Sequence, residues 1–168
     1  MLEQTGKDNK MLKITPMLWF DDQAEEAATL YTSLFKNSKI NHVARYPENS
    51  PGNAGAVMTV SFDLDGQEFT ALNGGPLFKF TEAISFVAHC EDQAEVDKLW
   101  YGLTANGGEE SQCGWLKDKF GVSWQIVPNA FIELMSGPNK EKTDRVYQAM
   151  LKMKKLDIEG LKRAFEGK

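Results

Sequence analysis

This chain has few of the residues from which disulfide frameworks and metal centres are built: two cysteines and two histidines in 168 residues. Cys90 and Cys113 are too few to staple a small fold, and they lack the paired spacing of a zinc site. His42 and His89 cannot furnish a histidine-rich centre, so neither a catalytic metal nor a cofactor is expected. No apolar run approaches the ~20 residues of a membrane span, and the opening MLEQTGKDNK has no apolar core of the secretory type. These absences argue against a membrane partner and predict a cytoplasmic protein. Basic residues are outnumbered 19 to 24, giving a net charge of −5. A surface that binds phosphates needs the opposite balance, which argues against nucleic acid as the main partner. A glycine-rich nucleotide turn is also missing. Gly74-Gly75 leads into Pro76, and Gly107-Gly108 follows a predicted helix instead of opening one.

What the chain does contain is a repeat. Ile14 to Tyr31, ITPMLWFDDQAEEAATLY, returns as Ile84 to Tyr101, ISFVAHCEDQAEVDKLWY, with Asp-Gln-Ala-Glu at 22–25 and again at 92–95. The displacement is 70 positions. Each copy opens with an apolar run of strand length and then turns acidic. Asp21, Asp22 and Glu25, like Glu91, Asp92 and Glu95, offer caps and first-turn negative charge to a helix. A second echo lays Asp63 to Leu72 on Asp118 to Val127, displaced by 55. Gly66 and Gly121 then mark hairpin turns. The smaller displacement means a shorter middle in the second copy, and PENSPGNAG, residues 47–55, is the extra loop.

The predicted order is therefore strand 12–20, helix 22–35, and strands 38–46, 56–64 and 67–73. Asn73 to Pro76 link this unit to a second one with strand 83–90, helix 92–106, one broken or two short strands over 109–117, and strand 122–128. Residues 1–12 read as a frayed extension, with Met11 offering a second start. The units span 13–75 and 82–128. Residues 129–168 match neither copy and read as helices, broken at Ser136-Gly-Pro138. Phe131, Leu134, Met135, Val146, Met150, Leu151 and Met153 form their apolar face. Met150 and Met153 read as core filler.

Two tandem βαβββ units resemble the vicinal oxygen chelate superfamily, which includes glyoxalases, bleomycin-resistance proteins and dioxygenases. ITPMLWFDDQAEEAATLYTSLF, MTVSFDLDGQEFTALNGGP and CGWLKDKFGVSWQIVP are similar to the PhnB-like branch, also named for a 3-demethylubiquinone-9 3-methyltransferase domain, over about residues 13–156. The resemblance implies an α+β fold in which curved mixed sheets surround a cavity, with helices at the C-terminus. In the superfamily's metal-dependent members, first and last strands of each unit supply His and carboxylate ligands. Carried over, those positions fall on Thr15, Ser85, Thr70 and Gln125. Hydroxyls and an amide suit neither zinc nor Fe(II).

The expected cavity has apolar walls and a few convergent polar groups. Trp19, Phe69, Phe86, Trp115 and Trp124 are candidate walls or plain core. Thr15, Thr70, Asn73, Ser85 and Gln125 are the polar points or local braces. The ligand-binding set is accordingly Thr15, Trp19, Thr70, Asn73, Ser85, Trp115 and Gln125. Gln125, amid Trp124, Ile126 and Val127, needs a partner if buried. Three residues are minor catalytic candidates. Glu68 shares the parity of Thr70 and reads as a base or as a solvated hairpin residue. His89 shares the parity of Ser85, but four strand residues span roughly 13 Å, too far for one coordination sphere. Cys113 lacks any visible feature that would activate its thiol, and Cys90 reads as a small buried residue. Glu109, Glu110, Asp118 and Lys119 read as a wet rim.

Three functional readings follow. The leading one is a metal-free protein that binds a small, partly apolar molecule. The others are an enzyme of the same superfamily with a relocated site, using Glu68, His89 or Cys113, and a small-molecule methyltransferase as the family name implies. Open sheet faces and edges need a mate, and the superfamily resemblance supplies a homodimer.

Overall fold

A computed structural model describes residues 14–168. The frayed extension and the first residues of the predicted opening strand lie outside the described residues. The chain divides into two compact units, one ending at Gly74 and the other running from Gly75 to Lys168.

In the first unit the elements are β1 (Met17–Phe20), α1 (Ala24–Leu34), β2 (Lys39–Arg45), β3 (Val57–Leu64) and β4 (Gln67–Asn73). The sheet order is β1-β4-β3-β2. β1 runs parallel to β4, and the remaining pairs are antiparallel. Strand alternation divides the side chains. Leu18, Phe20, Val60, Phe62, Leu64, Phe69 and Ala71 are buried, as are Ala24, Ala27, Ala28 and Tyr31 of α1. The Phe62 ring lies 5.5 Å from Phe69 and 6.2 Å from Tyr31, centroid to centroid. Asp65 and Gly66 both take positive φ, 46° and 84°. That is what a two-residue hairpin of the primed type requires.

The start of α1 departs from expectation. Asp22 does not cap it, and the residue at the cap position, Gln23, makes no side-chain cap bond. Instead the Ala24 amide donates to Asn73 Oδ1 at 2.8 Å, from 49 residues away. Asn73 Nδ2 donates to the Val57 carbonyl at 3.1 Å, and its own carbonyl accepts from the Tyr46 hydroxyl at 3.0 Å. Glu25 and Glu26 still place negative charge in the first turn, where it opposes the helix dipole favourably.

In the second unit the elements are β5 (Ser85–Cys90), α2 (Gln93–Thr104), β6 (Glu109–Glu110), β7 (Trp115–Lys117) and β8 (Ser123–Pro128), followed by α3 (Asn129–Met135), α4 (Lys140–Met150) and α5 (Ile158–Glu166). The sheet order β5-β8-β7-β6 repeats that of the first unit. Val87 lies opposite Gln125 and His89 opposite Val127, just as Met17 lies opposite Thr70 and Trp19 opposite Leu72. The two displacements read from the sequence therefore carry one parallel pairing onto the other. Here the predicted cap holds: the Glu95 amide donates to Asp92 Oδ1 at 2.9 Å. The Glu95 carboxylate in turn accepts from the Glu91 amide at 2.8 Å, a reciprocal arrangement of the capping-box kind.

Asp118 is the larger correction. It is not part of a wet rim but 2% exposed. Its Oδ1 accepts from the Phe120 and Val122 amides at 2.9 and 3.0 Å, and its Oδ2 accepts from the Trp124 indole at 2.9 Å. The carboxylate thus organises the turn before β8 and anchors a buried tryptophan. Glu110 stays exposed as expected, and its carboxylate accepts from the indole of fully buried Trp100 at 2.9 Å.

The C-terminal helices close on Val146, Met150, Leu156 and Leu161, with Cys113, Phe131, Leu134, Met135, Met153 and Phe165 packed around them. Leu151, expected on this face, is exposed instead. Cys113 and Gly114 take φ of 59° and 84° and form the turn that joins β6 to β7, closed by the Trp115 amide donating to the Gln112 carbonyl at 3.0 Å. The Cys113 and Gly114 amides donate to the Met153 and Lys154 carbonyls, both at 2.7 Å.

Candidate functional site

The helix-averted faces carry Trp19 and Thr70 on the first sheet and Ser85, Trp115 and Gln125 on the second. On the second sheet, alternation sends Phe86, Ala88 and Cys90 toward α2 and leaves Ser85, Val87 and His89 on the other face. Gln125 shares that face, and its amide donates to Ser85 Oγ at 2.9 Å. Trp115 lies opposite Gln125 on the antiparallel side. The partner that burial of an amide requires is thus the other expected polar point, with Val87 and Trp115 as flanking neighbours in register.

On the first sheet, Met17, Thr70 and Ser61 form one row in register, and Trp19, Leu72 and Thr59 the next. Thr15 precedes β1, and the ladder reaches back to Pro16, whose carbonyl accepts from the Thr70 amide at 2.9 Å. The Trp19 indole lies over Gly74, where a β-carbon would stand 2.3 Å from its ring atoms. Asn73 is not grouped with Thr70, because its side chain is committed to the α1 cap and to Val57. Of the expected aromatic walls, Phe69 and Trp124 are buried in the core, and Phe86 packs at 5.4 Å from Trp124. Trp19 and Trp115 remain on the helix-averted faces.

The minor catalytic candidates are scattered. Glu68 pairs with Asp63, one step from the Asp65-Gly66 turn. His89 is exposed on β5. Cys113 packs into the C-terminal cluster. Among the described residues no three His, Cys, Asp or Glu side chains are grouped to hold a metal ion. Thr15, Thr70, Ser85 and Gln125, the positions at which the superfamily resemblance implied ligands, offer hydroxyls and an amide, with Gln125 bonded to Ser85. Such a set does not fit Zn or Fe(II).

Sequence reasoning missed one group beside this face. Glu109, Lys117, Ser123 and Ser85 stand in one register row across four strands. Lys117 Nζ meets the Glu82 carboxylate at 2.6 Å. Its hydrogen bond to Glu82 raises the Lys117 pKa, and the same bond lowers that of Glu82. Ser123 is 2% exposed, and its hydroxyl has no hydrogen-bond partner among the described residues. The parity of Ser123 with Gln125 was readable in the chain, but nothing local marked its burial.

This repeated β-α-β-β-β architecture, with a helix on one face of each sheet, is the α+β, glyoxalase-like fold that the resemblance implied. A solved PhnB protein from Bacillus cereus is 40% identical, with a TM-score of 0.65, covering 70% of this chain and 99% of that one. A Pseudomonas aeruginosa protein is similar in fold at 20% identity, with a TM-score of 0.58 and coverage of 70% and 97%. The fosfomycin resistance protein FosX from Listeria monocytogenes shares the fold at 15% identity, with a TM-score of 0.54 and coverage of 76% and 99%. No curated protein matches significantly. The model of the 3-demethylubiquinone-9 3-methyltransferase family matches residues 12–127, and the chain belongs to that family.

Proposed function

We propose that the protein is a metal-free binder of a small, partly apolar molecule, held on the helix-averted sheet faces. The observation that carries this reading is the Gln125–Ser85 hydrogen bond at 2.9 Å. It joins an amide and a hydroxyl, the two polar points expected on this sheet, beside Val87 and Trp115. A few polar groups amid apolar ones is the usual composition of a small-molecule site. Trp19, Leu72 and Thr70 offer a comparable surface on the first sheet.

The methyltransferase reading gains no support from the glycines. Gly74 is packed under Trp19, and a β-carbon at Gly108 would lie 2.6 Å from Thr104 Cα and 2.9 Å from the Lys117 carbonyl oxygen. Both positions serve close packing, and neither opens a helix. A homodimer belongs to the same proposal. Met17, Leu77, Phe78, Ile84 and Val87 are exposed apolar residues, and such surface favours a mate. Among the described residues no helix is long and apolar enough to cross a membrane. A cytoplasmic location completes the proposal.

The test is a thermal-shift screen of small molecules and of Mn, Fe(II), Co, Ni and Zn against the wild type and Gln125→Ala. A bound ligand raises the unfolding midpoint by mass action. The reading expects organic compounds that raise the wild-type midpoint and lose that effect in Gln125→Ala. A metal that co-purifies near one per chain, with a midpoint lowered by chelator, would overturn it. Sedimentation equilibrium tests the dimer, and a monomer across the micromolar range removes that part.

A further inference from the structure

The segment that leads into β5 is fastened to the middle of its own sheet. Glu82 precedes the edge strand β5, yet its carboxylate meets Lys117 Nζ on β7 at 2.6 Å. In the order β5-β8-β7-β6 that is two strands away, about 10 Å between backbones. Just upstream, Phe80 stands at the turn before β8, where a β-carbon on Gly121 would lie 3.9 Å from Phe80 Cβ. The Ala83 amide donates to Thr81 Oγ1 at 3.4 Å, so the segment turns as it crosses. These fixings surround one residue. Ser123 follows Gly121 closely in the chain and stands in register between Ser85 and Lys117. It shares the parity of Gln125 and so belongs to the face turned away from α2. Its hydroxyl is nevertheless closed off from solvent, with no partner among the described residues. We propose that residues 80–84 form a strap that covers Ser123, is latched by Glu82 on Lys117, and gates the Trp115 end of this sheet face.

The latch is weak by construction. The Glu82 and Lys117 side chains are 65% and 33% exposed, and exposed pairs hold little. Glu109 stands opposite Lys117 in register, so an ammonium released by Glu82 has a second carboxylate at hand. Closure also strips water from the Ser123 hydroxyl and returns no hydrogen bond, which opposes it. Lifting the strap rehydrates that hydroxyl, and opening is a local event well short of unfolding. Gating follows from space. Glu82, Trp115 and Lys117 are among the residues around a cavity of about 180 Å³, below the roughly 300–1,000 Å³ of small-molecule pockets. Trp115 is the register neighbour of Gln125, so a ligand on Gln125 that extends past Trp115 toward Lys117 needs the strap raised. The proposal rests on the reading of this face as a binding surface and adds its regulation.

The experiment uses the full chain without ligand. Tryptic cleavage after Lys79, at the start of the strap, reads the latch. Reaction of the thiol introduced by Ser123→Cys with an aromatic disulfide reagent, above the wild-type background of Cys90 and Cys113, reads the cover. Glu82→Gln is expected to speed both about threefold to fivefold, and Lys117→Gln to add little once Glu82→Gln is present. Ser123→Ala slows the cleavage, because closure then buries no hydroxyl. The inference is overturned if Glu82→Gln leaves both rates unchanged, if Ser123→Ala speeds cleavage, or if the introduced thiol reacts as fast as in the unfolded chain. Compounds from the thermal-shift screen that depend on Gln125 then test the gate. They bind Glu82→Gln more tightly by about the factor that opening gains, since more of the chain is competent, and an equal affinity removes the gating. If Glu82→Gln speeds cleavage and labelling while no compound depends on Gln125, the broader reading falls and the latched strap stands. If such compounds exist while both rates ignore Glu82, only the strap falls.

Discussion

Asn73 caps a helix that begins 49 residues before it: its Oδ1 accepts the Ala24 amide at 2.8 Å. One side chain at the end of β4 thereby fixes the start of α1 and, through Val57, the edge of β3. Asn73→Ala is expected to cost about 1–2 kcal/mol and to speed hydrogen exchange at Ala24. Asp22→Ala, at the position the sequence favours as the cap, changes stability by less than about 0.5 kcal/mol. Equal effects from the two substitutions would refute the long-range cap.

Asp118 makes a comparable prediction in the second unit. Asp118→Ala strips acceptors from two amides and the Trp124 indole, and leaving such donors unpaired costs on the order of 3 kcal/mol. For a chain of this size the midpoint falls by roughly 6–12 °C. Tryptophan emission of the folded variant shifts as Trp124 loses its anchor. An unchanged midpoint in calorimetry would rule out the buried role.

Gly74 tests the position of Trp19. A β-carbon there falls within 2.3 Å of the indole ring, so Gly74→Ala must displace it. The expected outcome is a shift in Trp19 fluorescence, read in a variant whose other three tryptophans are phenylalanine, with a stability loss of about 1–3 kcal/mol. Ligands that depend on Trp19 weaken in parallel. An unmoved Trp19 spectrum would contradict the packing.

Acid sensitivity has a local source in Asp97. The hydrogen bond from Lys155, at 2.6 Å, is the main cause of its lowered pKa, and the Gln93 amide adds to it. Because the folded value lies below the unfolded one, the pair stabilises the fold above the ordinary carboxylate range. That contribution is lost as pH falls through the folded value. Asp97→Asn is expected to lower stability at neutral pH by less than about 1 kcal/mol, since the pair is partly exposed. It also flattens the acid limb of the stability curve. An acid limb identical to the wild type would exclude this source.

The fold was legible because repetition and alternation are local signals. The strand predicted over 67–73 coincides with β4, and the two displacements carry the observed Met17–Thr70 pairing onto Val87–Gln125. The Asp92 cap was legible for the same reason, since its partner lies three residues on. The cap role of Asn73 was not legible and the burial of Asp118 was misread, because each answers to distant or buried groups: the Ala24 amide, the Val57 carbonyl and the Trp124 indole. The Gln125–Ser85 bond was half legible. Gln125 was marked as needing a partner, and Ser85 as an inward polar point, but only the parallel pairing of β5 with β8 brings them together. Ser123 gave no signal, because its burial depends on neighbouring elements.

The attachment of the tail bears on how such proteins diverge. Residues 153 and 154 are held at the Cys113-Gly114 bend by main-chain carbonyls meeting main-chain amides, at 2.7 Å each. Peptide groups are the same in every residue but proline, so this join imposes little on the side chains of the segment that docks. The side-chain requirement on the tail lies elsewhere, in the buried cluster of Val146, Met150, Leu156 and Leu161. At the join itself the constraint falls on the receiving side. At Gly114 a β-carbon would approach the Ile126 carbonyl oxygen to 2.9 Å and Leu156 to 3.3 Å. Glycine at that bend is the mark by which relatives with a comparably seated tail can be sought.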